Sequence, residues 1–423
     1  MEFLEIFRNH SEYEARKTSG FVASHISHCI KEVELHYDSW SWTDVHFTFV
    51  AIEDGTFKFV GNAVNYSLDN GKTWTSLPSN TDSPIVKSSK KILWKANLTP
   101  KQGNPIWGIG TFSSSNKFYA EGNPLSLIYG DNAKTNNTSI DGKKNIFDCL
   151  FQNCKNIIDA KNVSLPSTAL TNNCYSHMFE GCTSLKTTPE LPATVLAKEC
   201  YNGMFQGCTS LTKAPQLPAM TLAQQCYYYM FDGCTSLTKA PELPATTLAQ
   251  KCYYNMFYNC TSLILPPELP ATTLEDYCYY RMFEGCTNLK ETPELPATTL
   301  ANWCYGGMFA YCSSITKAPE LPATELKERC YTYLFYYCTS LTKAPDLIAK
   351  TLVNECYYFM FNGCANLNYI KAMFTTKPTN TYTDEWVEGV AENGTFVKNA
   401  AATWNVRGIT GIPSGWNVET ASE

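Results

Sequence analysis

Cys234-Thr-Ser-Leu-Thr-Lys-Ala-Pro-Glu-Leu-Pro-Ala-Thr-Thr-Leu-Ala-Gln-Lys-Cys252-Tyr-Tyr-Asn-Met-Phe-Tyr-Asn-Cys260 is one period of a repeat that fills the middle of this chain. Cys182, Cys208, Cys234, Cys260, Cys286, Cys312, Cys338 and Cys364 stand 26 residues apart. Cys174, Cys200, Cys226, Cys252, Cys278, Cys304, Cys330 and Cys356 each lie eight positions before them. A fixed period of this length marks a solenoid, in which each unit buries its apolar face only by stacking on its neighbours. A divergent unit ends at Cys154, with Ile146 in the first cysteine position and Leu150-Phe151 in place of Met-Phe. The solenoid therefore spans 146–364.

Leu248, Cys252 and Met256 are spaced i, i+4, i+8, which predicts a short helix of two to three turns opened by a Thr247/Gln250 capping box. Gly181, Gly207, Gly233, Gly285 and Gly363, with Asn259 in a sixth unit, suit the left-handed residue that ends a helix. The Cys-Thr-Ser-Leu-Thr segment suits a short strand, and Pro241 and Pro244 break regular structure after it. The expected fold is an α/β repeat solenoid of the leucine-rich-repeat kind.

This motif resembles the BspA-like leucine-rich repeats of Bacteroides and of Bacteroides-infecting, crAss-like phages, over about half the chain. Its Leu-x-x-Ala-Pro-x-Leu-Pro replaces the usual Leu-x-x-Ile-x-Ile-Pro strand of that family. The resemblance implies a non-enzymatic surface: a head or tail fibre protein of a phage virion, or alternatively a bacterial surface adhesin. It further implies a host glycan or protein receptor as partner, and docking to other virion proteins through residues 1–42. A fibre role makes a symmetric homo-oligomer, first of all a trimer, the expectation.

The flanks have other textures. Residues 43–131 alternate apolar and polar in His46-Phe-Thr-Phe-Val, Gly55-Thr-Phe-Lys-Phe-Val60, Ala63-Val-Asn-Tyr-Ser and Ile92-Leu-Trp-Lys-Ala, which predicts a small all-β domain, an antiparallel sandwich or barrel. Residues 132–145 read as a polar linker. Residues 365–423 lose the repeat and supply Trp386, Phe396, Trp404 and Trp416 for a C-terminal cap. Residues 1–42 are apolar enough to be buried and too short for a core of their own, as a docking segment would be.

The chain has 423 residues, 44% hydrophobic and 17% charged, with a net charge of -6. That is a folded composition, not a disordered one, and it lacks the basic patch of a nucleic-acid binder. No apolar run is long enough to insert in a membrane. The segment Met1-Glu-Phe-Leu-Glu-Ile-Phe-Arg8 does not read as a secretory signal, so synthesis and folding in the cytoplasm are expected if Met1 is the start.

Candidate chemistry is sparse. Stacked units hold equivalent cysteines with parallel Cβ vectors, which suits a disulfide poorly, so the two columns read as buried thiols. His25, His28, Cys29 and His36 match no zinc spacing, and no metal or other cofactor is expected. Ser67-Leu-Asp69-Asn-Gly71-Lys-Thr73-Trp74 resembles the Asp-box of sialidase propellers, but once only, and reads as a structural turn. The column Glu190, Gln216, Glu242, Glu268, Glu294, Glu320 and Asp346 reads as a solvated charge stripe rather than as paired catalytic acids, and together with the Asp-box it leaves a carbohydrate-active enzyme as the weaker alternative.

The informative contrast lies beside the second cysteine column. Tyr175, Tyr201, Tyr227, Tyr253, Tyr279, Tyr305, Tyr331 and Tyr357 never change, as packing residues would not. The next two positions vary and are rich in Tyr, Arg, Asn and Gly, the residues of adaptable binding faces. They give His177, Tyr228, Tyr229, Tyr254, Tyr280, Arg281, Tyr333 and Tyr358 as candidate binding residues. The competing reading is an unconstrained outer face.

Overall fold

The computed structural model describes residues 46–100, 108–134, 140, 142–165 and 168–421. The expected docking segment 1–42, with His25, His28, Cys29 and His36, lies outside them, as does part of the expected linker. His46–Glu423 forms one compact unit.

The alternating stretches near its start become strands β1 (Phe47–Ala51), β2 (Phe57–Gly61), β3 (Val64–Ser67), β4 (Thr75–Leu77), β5 (Lys91–Lys95), β6 (Gly110–Ser114) and β7 (Phe118–Gly122). Strand β8 (Ile157–Val163) follows from the first coil of the solenoid. One sheet has the order β4-β3-β5-β1-β7-β8, and β2 pairs with β6 in a second. The sheets do not close into a barrel. Phe47 and Phe49 of the first sheet pack on Phe112 of the second at centroid distances of 6.2 and 4.9 Å, as in a sandwich.

This core runs on into the repeats. Phe151 lies 5.7 Å from Phe49 and stacks on Phe179 at 5.3 Å, and Phe112 N donates to Leu150 O. The β7·β8 pairing is parallel, whereas β1·β5 and β1·β7 are antiparallel.

The expected helices are absent: among the described residues the repeats contain none. A chain of tight turns replaces them, and the hydrogen bonds show why. Cys226 N bonds Ala223 O, Tyr228 N bonds Gln225 O and Met230 N bonds Tyr227 O, each closing a turn within its coil. The alternate donors Tyr227, Tyr229 and Phe231 reach the carbonyls of Cys252, Tyr254 and Met256 in the next coil. Every fourth residue is left-handed, as at Gln225, Tyr229 and Gly233. The ribbon thus repeats every four residues, not every 3.6, and half its donors join coils together.

The expected strand also contracts. After Cys234 the chain turns, and pairing between coils is reduced to single bridges such as Lys239↔Leu265. Pro241 and Pro244 follow and can donate nothing to a ladder.

Inside, side chains form rows. Phe179, Phe205 and Phe231 stack at 5.6 and 5.7 Å, and Tyr201, Tyr227 and Tyr253 at 5.9 and 5.8 Å. The fixed tyrosines are 1% exposed, which makes them core. Both rows end on Trp386, 6.2 Å from Tyr357 and 6.1 Å from Phe361. The backbone pattern continues past the last repeat: Phe361 N bonds Trp386 O, and Gly363 N bonds Glu388 O. Beyond it, β9 (Tyr369–Ala372), β10 (Thr395–Lys398) and β11 (Asn417–Thr420) form a parallel sheet.

Candidate functional site

The turn ribbon puts two residues in and two out in every four. In the unit from Cys226, the inward residues are Cys226, Tyr227, Met230 and Phe231, all buried. The outward residues are Tyr228, Tyr229, Asp232 and Gly233, with Gln225 before them. All of the outward columns vary from unit to unit, so variation gathers on one ribbon-built face.

Aromatic side chains make two clusters there. In the first, Tyr228, Tyr254 and Tyr280 stack in a row at 4.7 and 4.8 Å. Tyr229 meets Tyr228 edge-on at 4.4 Å. A parallel row holds Tyr277 on Trp303, 5.6 Å apart and 12° from coplanar. Cations flank that row: Lys251 Nζ lies 5.3 Å from the Tyr277 ring, and the Arg329 guanidinium 4.6 Å from Trp303. Arg329 binds Glu355 through two nitrogens, each at 2.6 Å.

Burial pushes the Tyr254 phenol up to about 12, so it stays a neutral donor at physiological pH. Arg281 lies 5.1 Å from the Tyr280 ring and 3.2 Å from Glu284 Oε2. Burial raises the Glu284 carboxyl, and Arg281 opposes this. Gly307 makes room for Arg281, because a Cβ there would sit 3.0 Å from its Cγ.

The second cluster holds Tyr311, Tyr333, Tyr336, Tyr337 and Phe359, with Tyr333 stacked on Phe359 at 5.1 Å. Tyr358 touches it from the side, 5.5 Å from Tyr333. His177 stands apart near the start of the solenoid, with Nδ1 2.8 Å from Glu180 Oε2. The structure thus brings Tyr228, Tyr229, Tyr254, Tyr280 and Arg281 together, places Tyr333 and Tyr358 in a second group and leaves His177 outside both.

Reading two columns missed Tyr277, Trp303 and Arg329, which precede the second cysteines, and Tyr311, Tyr336 and Tyr337, which follow the phenylalanines. The same unit-to-unit comparison carries the signal for them, since those columns vary too.

Backbone conformation singles out this face. Tyr229, Arg281, Tyr333 and Phe359 have φ of 55, 50, 56 and 54°, where the same column holds Gly203 and Gly307 in other units. A side chain costs about 1 kcal/mol or more in that conformation. Glycine would be the easier choice, and these units hold large side chains against that cost.

Asp69 accepts from Thr73 N at 2.9 Å, from Thr73 Oγ1 at 2.7 Å and from Ser67 Oγ at 2.7 Å. Those bonds hold its carboxyl far below the usual carboxylate range and close the turn, with Trp74 Nε1 on Gly71 O. Glu190, Glu242, Glu268, Glu294 and Glu320 are exposed, and among the described residues only Asp346 of that column forms an ion pair, with Lys371 at 2.6 Å. Among the described residues no cluster of three or more His, Cys, Asp or Glu could hold a metal, and no helix is long and apolar enough to cross a membrane.

No curated protein matches the chain. The BspA-type leucine-rich repeat region matches in 6 copies, over residues 130–264, 216–342 and 246–383, which together span more than half of the sequence. The chain belongs to the BspA-type leucine-rich repeat family.

Proposed function

We propose that this is a non-enzymatic, adhesin-type binding protein whose turn-built face takes up a macromolecular partner at a surface. The observation that carries this reading is the set of large side chains held in left-handed positions at Tyr229, Arg281, Tyr333 and Phe359. Stacking within rows uses up the ring faces and leaves edges, hydroxyls and cations outward, which is the texture of a protein- or glycan-binding hot spot.

The finer placement we propose is a head or tail fibre of a Bacteroides phage, with residues 1–42 docking to other virion proteins, the solenoid outward and a trimeric assembly. A bacterial surface adhesin is the alternative placement. Mass spectrometry of purified particles against cell-surface fractions separates the two.

The binding face is tested with labelled protein on intact Bacteroides cells, comparing the natural chain with a Tyr254→Ser, Tyr280→Ser, Trp303→Ser triple variant. Loss of cell binding with cooperative unfolding retained is expected. Unchanged binding removes this face from the function. Hydrolysis of sialosides or other glycans that Glu294→Gln abolishes would make the protein an enzyme instead.

A further inference from the structure

Two aromatic rows stop at the C-terminal end of the turn face. Tyr311 stacks on Tyr337 at 5.6 Å, and the next residue of that row is Gly363. Tyr333 stacks on Phe359, and the next residue there is Glu385. Where the rings end lies a cleft of about 370 Å³, lined by Tyr336, Tyr337, Phe359, Asn362, Glu385 and Glu388. Asn362 Nδ2 lies 3.2 Å from Glu388 Oε2 and 3.5 Å from Glu385 Oε2, so one amide gathers both carboxylates.

Among the described residues neither carboxylate has a cationic partner, whereas Glu355 and Asp346 are paired with Arg329 and Lys371. Glu388 beside it holds the Glu385 carboxyl above its ordinary range. Glu385 itself is left-handed, at φ 46°, in the column where two units place glycine, Gly203 and Gly307.

We propose that this cleft binds the guanidinium or ammonium head of a basic side chain on a protein partner. Aromatic walls attract a cation through their ring quadrupoles, and adjacent carboxylates match the fork of a guanidinium. The cleft is open to solvent, with Glu388 exposed, and has room for one long side chain. A neutral sugar would use the rings but would leave two adjacent carboxylates without a counter-charge.

The proposal rests on the turn face being a binding surface, and its test is independent of the partner. The full chain is titrated with N-acetyl-arginine amide and with the citrulline counterpart, which keeps the shape and loses the charge. Saturable binding of the arginine probe is expected, at least about tenfold tighter than citrulline. The Glu385→Gln, Glu388→Gln variant loses that preference, while its melting and its cell binding through Tyr254, Tyr280 and Trp303 report on fold and face. Equal affinity for the two probes, no saturable arginine binding, or arginine binding unchanged in the variant overturns the cleft. Failure of the Tyr254, Tyr280, Trp303 test with arginine binding intact overturns the wider face instead.

Discussion

The thiol of Cys234 donates to the carbonyl oxygen of Phe205, 3.1 Å away and 29 residues earlier. Cys208 does the same to Phe179 and Cys260 to Phe231, at 3.2 and 3.1 Å. The column is a ladder of weak bonds between coils, which accounts for a small apolar residue that can also donate. The 18 cysteines of the described residues are all free. Burial pushes Cys200 and Cys252 up to about 12, which suppresses the reactive thiolate.

Alkylation should therefore be slow on the native protein and complete after denaturation without reductant. Peptide mapping that recovers intramolecular disulfides among the repeat cysteines would contradict the ladder. Cys234→Ala should lower stability by about 1–2 kcal/mol through the lost bond and the small cavity.

At Tyr229 the left-handed backbone reverses an ordinary ranking. Alanine normally exceeds glycine in stability, but here alanine keeps the Cβ cost and loses the ring contacts. Tyr229→Gly should be more stable than Tyr229→Ala by about 1 kcal/mol in chemical denaturation. The opposite order would mean that the backbone relaxes out of this conformation without cost.

These left-handed positions also explain what the sequence conveyed. The cysteine spacing made the solenoid legible, and the alternation of Phe47, Phe49, Phe57 and Phe59 made the first strands legible. The helix was a misreading of period. Leu248, Cys252 and Met256 fit a helical face, but so does any structure repeating every four residues. Over nine positions the two diverge by only about 80°. The discriminating signal was the second inward column, Tyr253 and Phe257, with Asn255 and Asn259 at the positions that tolerate positive φ. The candidate face was half legible, because the helix assumption pointed to two outward columns where the ribbon has more.

Asp148 gives the stability a pH dependence. It is 6% exposed, and burial raises its carboxyl to about 6, with His177 opposing and Glu180 and Glu199 adding to the rise. Between about pH 4 and 6 the folded chain holds a proton that the unfolded chain has released, so stability falls as pH rises through that window. Asp232, which burial also raises to about 6, adds to the same slope, so Asp148→Asn should lessen it rather than remove it and be the more stable protein at pH 7.5, by on the order of 1–3 kcal/mol. Burial works against the charged form of His177, but Glu180 outweighs it and the imidazole is raised. Its contribution is present below about 6.5 and lost as pH rises through the raised value, so that decline remains in the Asn variant. Melting curves across pH 4.5–7.5 that show the same slope for both proteins would remove Asp148 as its source.

The solenoid should need its C-terminal cover. Trp386 is fully buried and closes both aromatic rows, with its Nε1 on Gly411 O at 2.9 Å. Trp404 stacks on Phe374 at 5.2 Å and donates to Phe374 O, and Trp416 donates to Ala391 O at 2.7 Å. These residues shield Tyr357, Phe361 and Phe374, each about 1% exposed or less, from water. Removing residues 379–423 would leave those rings and the donors of Tyr357, Phe359 and Phe361 facing solvent at an open edge, which invites pairing with another chain. The truncated protein should aggregate or lose cooperative unfolding. Trp386→Ala, which keeps the backbone cover, should instead unfold cooperatively with a loss of about 3–5 kcal/mol. Light scattering and denaturant titration of the two distinguish a required cover from an appended module. A soluble truncation as stable as the full chain would show that the coil ending at Gly363 closes its own core.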